Sequence, residues 1–202
     1  MILDAKKYCQ CMEEVKHRAS LIGSFIASGV SFGSNLHDYE VVCLHLRKIL
    51  ELIAFSALTA NKEEYSKIHN DYSKKWNAKR LLKSIGKLNP DFYPQPVEYA
   101  GIIDGGVKHF KEVETGFLNK EDWIKLYDLC SKALHVWNPY EERDRQINFE
   151  ISVAEWVKRI QNLLKVRYAR PLGGKVLWLV NMVSPEDGKA HVMLSSSVEN
   201  IE

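Results

Sequence analysis

Tyr39-Glu-Val-Val-Cys-Leu-His-Leu-Arg47-Lys-Ile-Leu-Glu51-Leu-Ile-Ala-Phe-Ser-Ala57 is the stretch from which the fold is read. Tyr39, Val42, Leu46, Ile49, Leu50, Ile53 and Ala57 recur at helical spacing and line one face, with no proline to interrupt them. Ser34 or Asn35 can cap a helix starting near Leu36, and Asn61 is the expected stop. The same segment carries a polar set, His45, Arg47, Lys48 and Glu51. Arg47 and Glu51 are four apart and can pair along the helix.

The pattern extends in both directions. Upstream, Tyr8, Met12, Val15, Ala19, Ile22 and Ile26 predict a long first helix, with Asp4 at its start and Gly29 and Gly33 at its end. Downstream, a third helix is expected from about Ser73 to Leu88, closed by Asn89-Pro90, with Trp76, Leu81, Leu82, Ile85 and Leu88 on its packing face. Residues 89–106, rich in proline and glycine, read as a long loop. Asn119 opens a fourth helix that Asn138-Pro139 closes, and the capping box Ser152-Val-Ala-Glu155 starts a fifth. The tail differs: two runs rich in Val, Leu and Trp flank Ser184-Pro-Glu-Asp-Gly188, which predicts a β-hairpin. The expected architecture is mainly α, a helical bundle of about five helices over 1–170 with a C-terminal β-hairpin over 171–202.

Composition narrows the function classes. In 202 residues, 46% are hydrophobic and 27% charged, which excludes wholesale disorder and collagen-like structure. Lys and Arg number 28 against 26 Asp and Glu, and a formal charge of +2 is too small to make the whole molecule a polyanion binder. Cys9, Cys11, Cys43 and Cys130 form no Cys-x-x-Cys pair and read as reduced, largely buried thiols. The N-terminus lacks a signal-peptide pattern, and the most apolar stretches, 52–58 and 176–183, are far shorter than the ~20 residues that span a bilayer. A cytoplasmic protein with no membrane partner and no cofactor is expected.

Most catalytic motifs fail. Gly101-Ile-Ile-Asp-Gly-Gly106 and Pro171-Leu-Gly-Gly-Lys175 lack the Lys-Ser/Thr of a phosphate loop and read as turns. The seven histidines include no His-Glu-x-x-His, no Gly-x-Ser-x-Gly elbow occurs, and Pro90-Asp91 with Glu98 lacks the lysine of a metal-dependent nuclease. Two constellations remain. Between Lys62 and Lys87 eight Lys/Arg face three Asp/Glu, and Lys75, Lys79, Lys83 and Lys87 fall four apart with Tyr65, Tyr72 and Trp76 interleaved. Such a ridge can track phosphates and stack bases, or it is an ordinary solvated helix face. In the second, Tyr127, Ser131 and His135 fall in one row along the fourth helix. A histidine at a helix C-terminus is stabilised as a cation and suits proton transfer near neutral pH. The competing reading makes Tyr127 and His135 structural groups bonded to Arg47 or Glu51.

Leu46-Arg-Lys-Ile-Leu-Glu-Leu52, the helix from Trp76 to Leu88, and Leu129-Cys-Ser-Lys-Ala-Leu-His135, in that order, resemble the HEPN superfamily of helical proteins over about residues 36–165. The resemblance implies a helical, often dimeric protein. Active members are metal-independent RNases with an Arg and a His separated by four to six intervening residues, and many serve in microbial toxin–antitoxin, CRISPR-linked or phage-defence systems. His135 matches the His, but the Arg would fall at Asp128, Leu129 or Cys130, none of them basic. The resemblance therefore implies an interaction or sensing protein without the usual RNase pair, acting with a second copy or a protein partner. Two alternatives stand beside it: a divergent RNase using His135 with Arg47, Lys48 or the downstream Arg143 and Arg145, and an RNA- or DNA-binding module using the lysine ridge.

Overall fold

A computed structural model describes residues 2–103, 106–136, 138–140, 148–173 and 176–196. Among them, five α-helices are α1 (Ile2–Ser28), α2 (Asn35–Ile68), α3 (Ala78–Leu88), α4 (Lys120–Leu134) and α5 (Val153–Leu164). Five strands are β1 (Gln95–Ile103), β2 (Val107–Glu112), β3 (Val166–Ala169), β4 (Val176–Asn181) and β5 (His191–Ser196). The chain is mainly α with C-terminal β structure, as its periodicity predicts.

Helix α2 runs 34 residues, about 50 Å at 1.5 Å per residue. Ser34 Oγ caps it by accepting the His37 N–H at 3.3 Å. Leu46, Ile49, Leu50 and Ile53 are fully buried, and α1, α3 and α4 all pack on this helix. Asn61 does not end it. Asn61 is buried within α2, where its Nδ2 donates to the Ala57 carbonyl at 2.9 Å and its Oδ1 accepts from Asn89 Nδ2 at 2.8 Å and the Leu172 N–H at 2.9 Å. A residue that stops helices when exposed is here satisfied by the chain segments that follow α3 and β3.

Other boundaries shift for local reasons. Asp4 lies inside the first turn of α1, and Ile26 and Tyr39, read as face residues, are exposed. Only a 3-10 turn, Tyr72–Lys74, forms before α3, because Asn77 is the true N-cap and accepts the Arg80 N–H at 2.9 Å. Trp76 thus precedes the helix and is exposed, not packed. His135, rather than Asn138-Pro139, is the C-cap of α4. In the capping box only half the pattern forms: Ser152 Oγ accepts the Glu155 N–H, while the Glu155 carboxylate turns to Arg159.

The largest correction concerns residues 89–106, within which Gln95–Ile103 form a strand, β1. It pairs antiparallel with β2 across a bulge between Tyr99 and Gly101, where Gly101 takes φ 118°. At its other end β1 pairs with β3, so the strand order is β2-β1-β3-β4-β5. The predicted hairpin forms from β4 and β5, and its strands continue this sheet through β3. Arg167, Ala169, Trp178 and Val180 are buried on the side facing the helices, where Trp178 meets Tyr8 edge-on at 5.8 Å. Glu13 and Lys16 of α1 hold the β4–β5 turn through Ala190 N–H and the Gly188 carbonyl.

Replacing Asn61 by alanine strands the Leu172 N–H and leaves Asn89 short of an acceptor. Urea unfolding of Asn61→Ala should show a loss of about 2 kcal/mol; a loss within about 0.5 kcal/mol, typical of an indifferent surface site, would deny the node its role.

Candidate functional site

The predicted row sits on α4 where it runs antiparallel to α2. Trp123 Nε1 donates to the Leu50 carbonyl at 3.2 Å, and the Trp123 and Tyr127 rings stack at 5.0 Å. One turn on, Arg47 Nη2 donates to Tyr127 Oη at 3.3 Å and its guanidinium lies 5.1 Å from that ring's centre. Arg47 Nε also donates to Glu51 Oε1 at 3.2 Å, the intrahelical pair that the spacing predicts. Although burial disfavours the charged form, the Tyr127 phenol and the Glu51 carboxylate hold the Arg47 guanidinium above its ordinary range. Below this layer the Cys43 and Cys130 thiols are in hydrogen-bond contact. That neighbour and burial push the Cys130 thiol far above the normal thiol range, so it is chemically quiet.

Ser131 and His135 do not complete a site with Tyr127. The Ser131 hydroxyl donates to the Tyr127 carbonyl at 2.7 Å, the usual back-bond of a mid-helix serine. His135 is exposed, and its backbone N–H closes the helix on the Ser131 carbonyl at 3.2 Å. It lies eight residues beyond Tyr127, about 12 Å along the axis and turned by about 80° around it. The half-buried Arg47 and the buried Tyr127 therefore form one group, and His135 stands apart from it. Lys48 is exposed; Arg143 and Arg145 lie outside the described residues.

The lysine ridge is divided in the same way. Lys75 lies before α3 and pairs with Asp71 at 2.7 Å, while Lys79 reaches across to Asp128 of α4 at 2.6 Å. Lys83 and Lys87 are exposed and form no ion pair among the described residues. This favours the solvated-face reading for most of the ridge. What the spacing misses is a cleft beside it, of 310 Å³, where Lys74, Trp76 and Arg80 stand with Lys75. The Asn77 cap was the available signal, because it places Trp76 outside the helix.

Among the described residues, no three His, Cys, Asp or Glu side chains gather at a metal-sized site, and no helix is long and apolar enough to cross a membrane. Comparison with protein-family models, with characterised proteins and with solved structures returns no match to this chain.

The clamp and the histidine make opposite demands on stability. Arg47→Ala should cost about 2 kcal/mol in urea unfolding, since it leaves Tyr127 Oη and Glu51 without their partner. His135→Ala should stay within about 0.5 kcal/mol. The reverse ranking would mean that His135, and not Arg47, is the structural residue.

Proposed function

We propose that this chain is a HEPN-like interaction or sensing protein, without the family's usual RNase chemistry, working in a microbial defence or toxin–antitoxin system. The observation that carries the reading is the commitment of Arg47 to Tyr127 and Glu51, about two helical turns from His135. RNA cleavage of the HEPN type needs a histidine for proton transfer and a cation on the same phosphate. Arg47 cannot serve that phosphate from where it is held without breaking the α2–α4 seam. The reading as an interaction protein draws on a second feature: Ile26, Val30, Phe32 and Leu36 are all exposed along the turn from α1 to α2, with Phe32 stacked on Phe25 at 5.8 Å. Apolar side chains gathered at one corner mark a surface for a second copy or a protein partner.

Incubated with single-stranded and hairpin RNA in EDTA, the protein should leave both intact, and His135→Ala should behave identically. EDTA-resistant cleavage that disappears in His135→Ala would overturn the proposal and favour the divergent RNase. Sedimentation gives a separate check on the second-copy form of the reading: self-association should weaken in Phe32→Ser, whereas a monomer before and after the change would remove the homodimer.

A further inference from the structure

We infer that the cleft at Trp76 is a binding site for a nucleobase carrying a phosphate, stacked on the indole and held by Lys74, Lys75 and Arg80. Trp76 is 75% exposed, an unusual state for the largest apolar side chain. It opens onto the 310 Å³ cleft, whose lining also includes Asn77 and Ser84. That volume lies at the small end of ligand sites and suits one base with its phosphate.

The charges around the indole are unbalanced. Among the described residues, Asp71 on Lys75 is the carboxylate that faces this cluster, and neither Lys74 nor Arg80 has an acidic partner. Helix α3 starts at the same place, and its first turn adds to the positive potential. The first turns of α2, α4 and α5 carry Asp38, Glu121 with Asp122, and Glu155; that of α3 carries no acid but Lys79 and Arg80. Cations at the positive end of a helix repel its dipole, a cost that an anion bound there would relieve. Lys79 turns away to Asp128, so the cations left at the cleft are Lys74, Lys75 and Arg80.

The polar lining is directional. Asn77 uses its oxygen to cap Arg80 N–H, which leaves its amide N–H groups for an acceptor. Ser84 Oγ accepts the Tyr65 hydroxyl at 2.9 Å and sits 3.3 Å from His69 Nε2, so the floor of the cleft is a fixed hydrogen-bonded chain. A carboxylate peptide would leave the flat indole unused, and a bilayer would bury the Asn77 amide and the Ser84 hydroxyl. A base uses the indole face and its phosphate uses the cations. The base and phosphate can come from a free nucleotide or from single-stranded RNA or DNA; the chemistry recognised is the same.

The test is fluorescence anisotropy of a short labelled oligouridylate on the full chain at several salt concentrations, with uridine monophosphate as competitor. Binding should weaken about tenfold in Trp76→Leu, the loss of one stacked base. The salt slope should fall in the double variant Lys74→Gln, Arg80→Gln. Trp76 and both cations are exposed, and unchanged circular dichroism checks that each variant is folded. Competition by the monophosphate would assign a free nucleotide; oligomer binding without competition would assign the polymer. The site is overturned if neither probe binds, if Trp76→Leu binds like the wild type, if only phosphatidylserine vesicles bind, or if Lys83→Gln with Lys87→Gln weakens binding more than Trp76→Leu. Binding and cleavage are separate readouts, so this inference stands or falls independently of the RNase question.

Discussion

The buried face of α2 is the surface on which α1, α3 and α4 all pack. Leu46, Ile49, Leu50 and Ile53 are removed from solvent by α1 on one side and by α3 and α4 on the other. Each such side chain contributes roughly 1.5–3 kcal/mol when fully buried, so a few of them match the net stability of a whole domain. A single long helix in this position has a consequence for its polar residues. Any polar group on its inner surface must find a partner: Arg47 finds Tyr127 on α4, Glu51 finds Arg47 on the same helix, and Ser56 and Asn61 bond to the helix backbone.

The same requirement governs the joint between helices and sheet. Arg167 of β3 is completely buried on the helix-facing side. Its Nε donates to Tyr8 Oη at 3.2 Å, Nη1 to the Leu164 carbonyl and Nη2 to the Met12 sulfur, with the guanidinium 5.4 Å from the Tyr8 ring centre. No carboxylate pairs with it among the described residues. A buried cation is tolerated only when its donors are met, and here α1, α5 and β3 must be assembled together to meet them. This couples the sheet to the helices: the short strand β3, which periodicity did not reveal, is held where α1 and α5 converge.

What could be read from the chain and what could not divides along the same line. Ser34, Asn119 and Ser152 were legible as helix caps because a cap is a contact between residues three positions apart. Asn61 was misread as a stop because its partners, Asn89 and the Leu172 N–H, are far away in sequence. Strand β1 was hidden by Pro96 and Gly101, which look like loop residues. Pro96 is tolerated because pairing with β3 involves only two residues, and Gly101 supplies the bulge. In the candidate site, the row Tyr127, Ser131, His135 was real as sequence spacing. Each step of four nevertheless turns about 40° beyond a full circle, so Tyr127 faces α2 while His135 has rotated into solvent. Arg47 with Glu51 was readable; Arg47 with Tyr127 required the helix pairing.

Satisfied and unsatisfied polar groups then separate scaffold from surface chemistry. Along the α2–α4 seam the strong donors are matched: Trp123 with Leu50, Arg47 with Tyr127 and Glu51, Ser131 with its own helix. Such a seam gains stability from its closure and would lose it by opening to a substrate. At the start of α3 the opposite holds: among the described residues Lys74 and Arg80 have no acidic partner, the first turn carries no acid, and the indole is uncovered. Arrangements of that kind cost stability in the free protein, because like charges converge and apolar area stays wet. A ligand that supplies negative charge and a flat aromatic face removes both costs at once. The site inferred at Trp76 would therefore put recognition at the rim of the bundle, on the turn between α2 and α3, while Tyr127 and Ser131 of α4 belong to the frame and His135 stands exposed at its end.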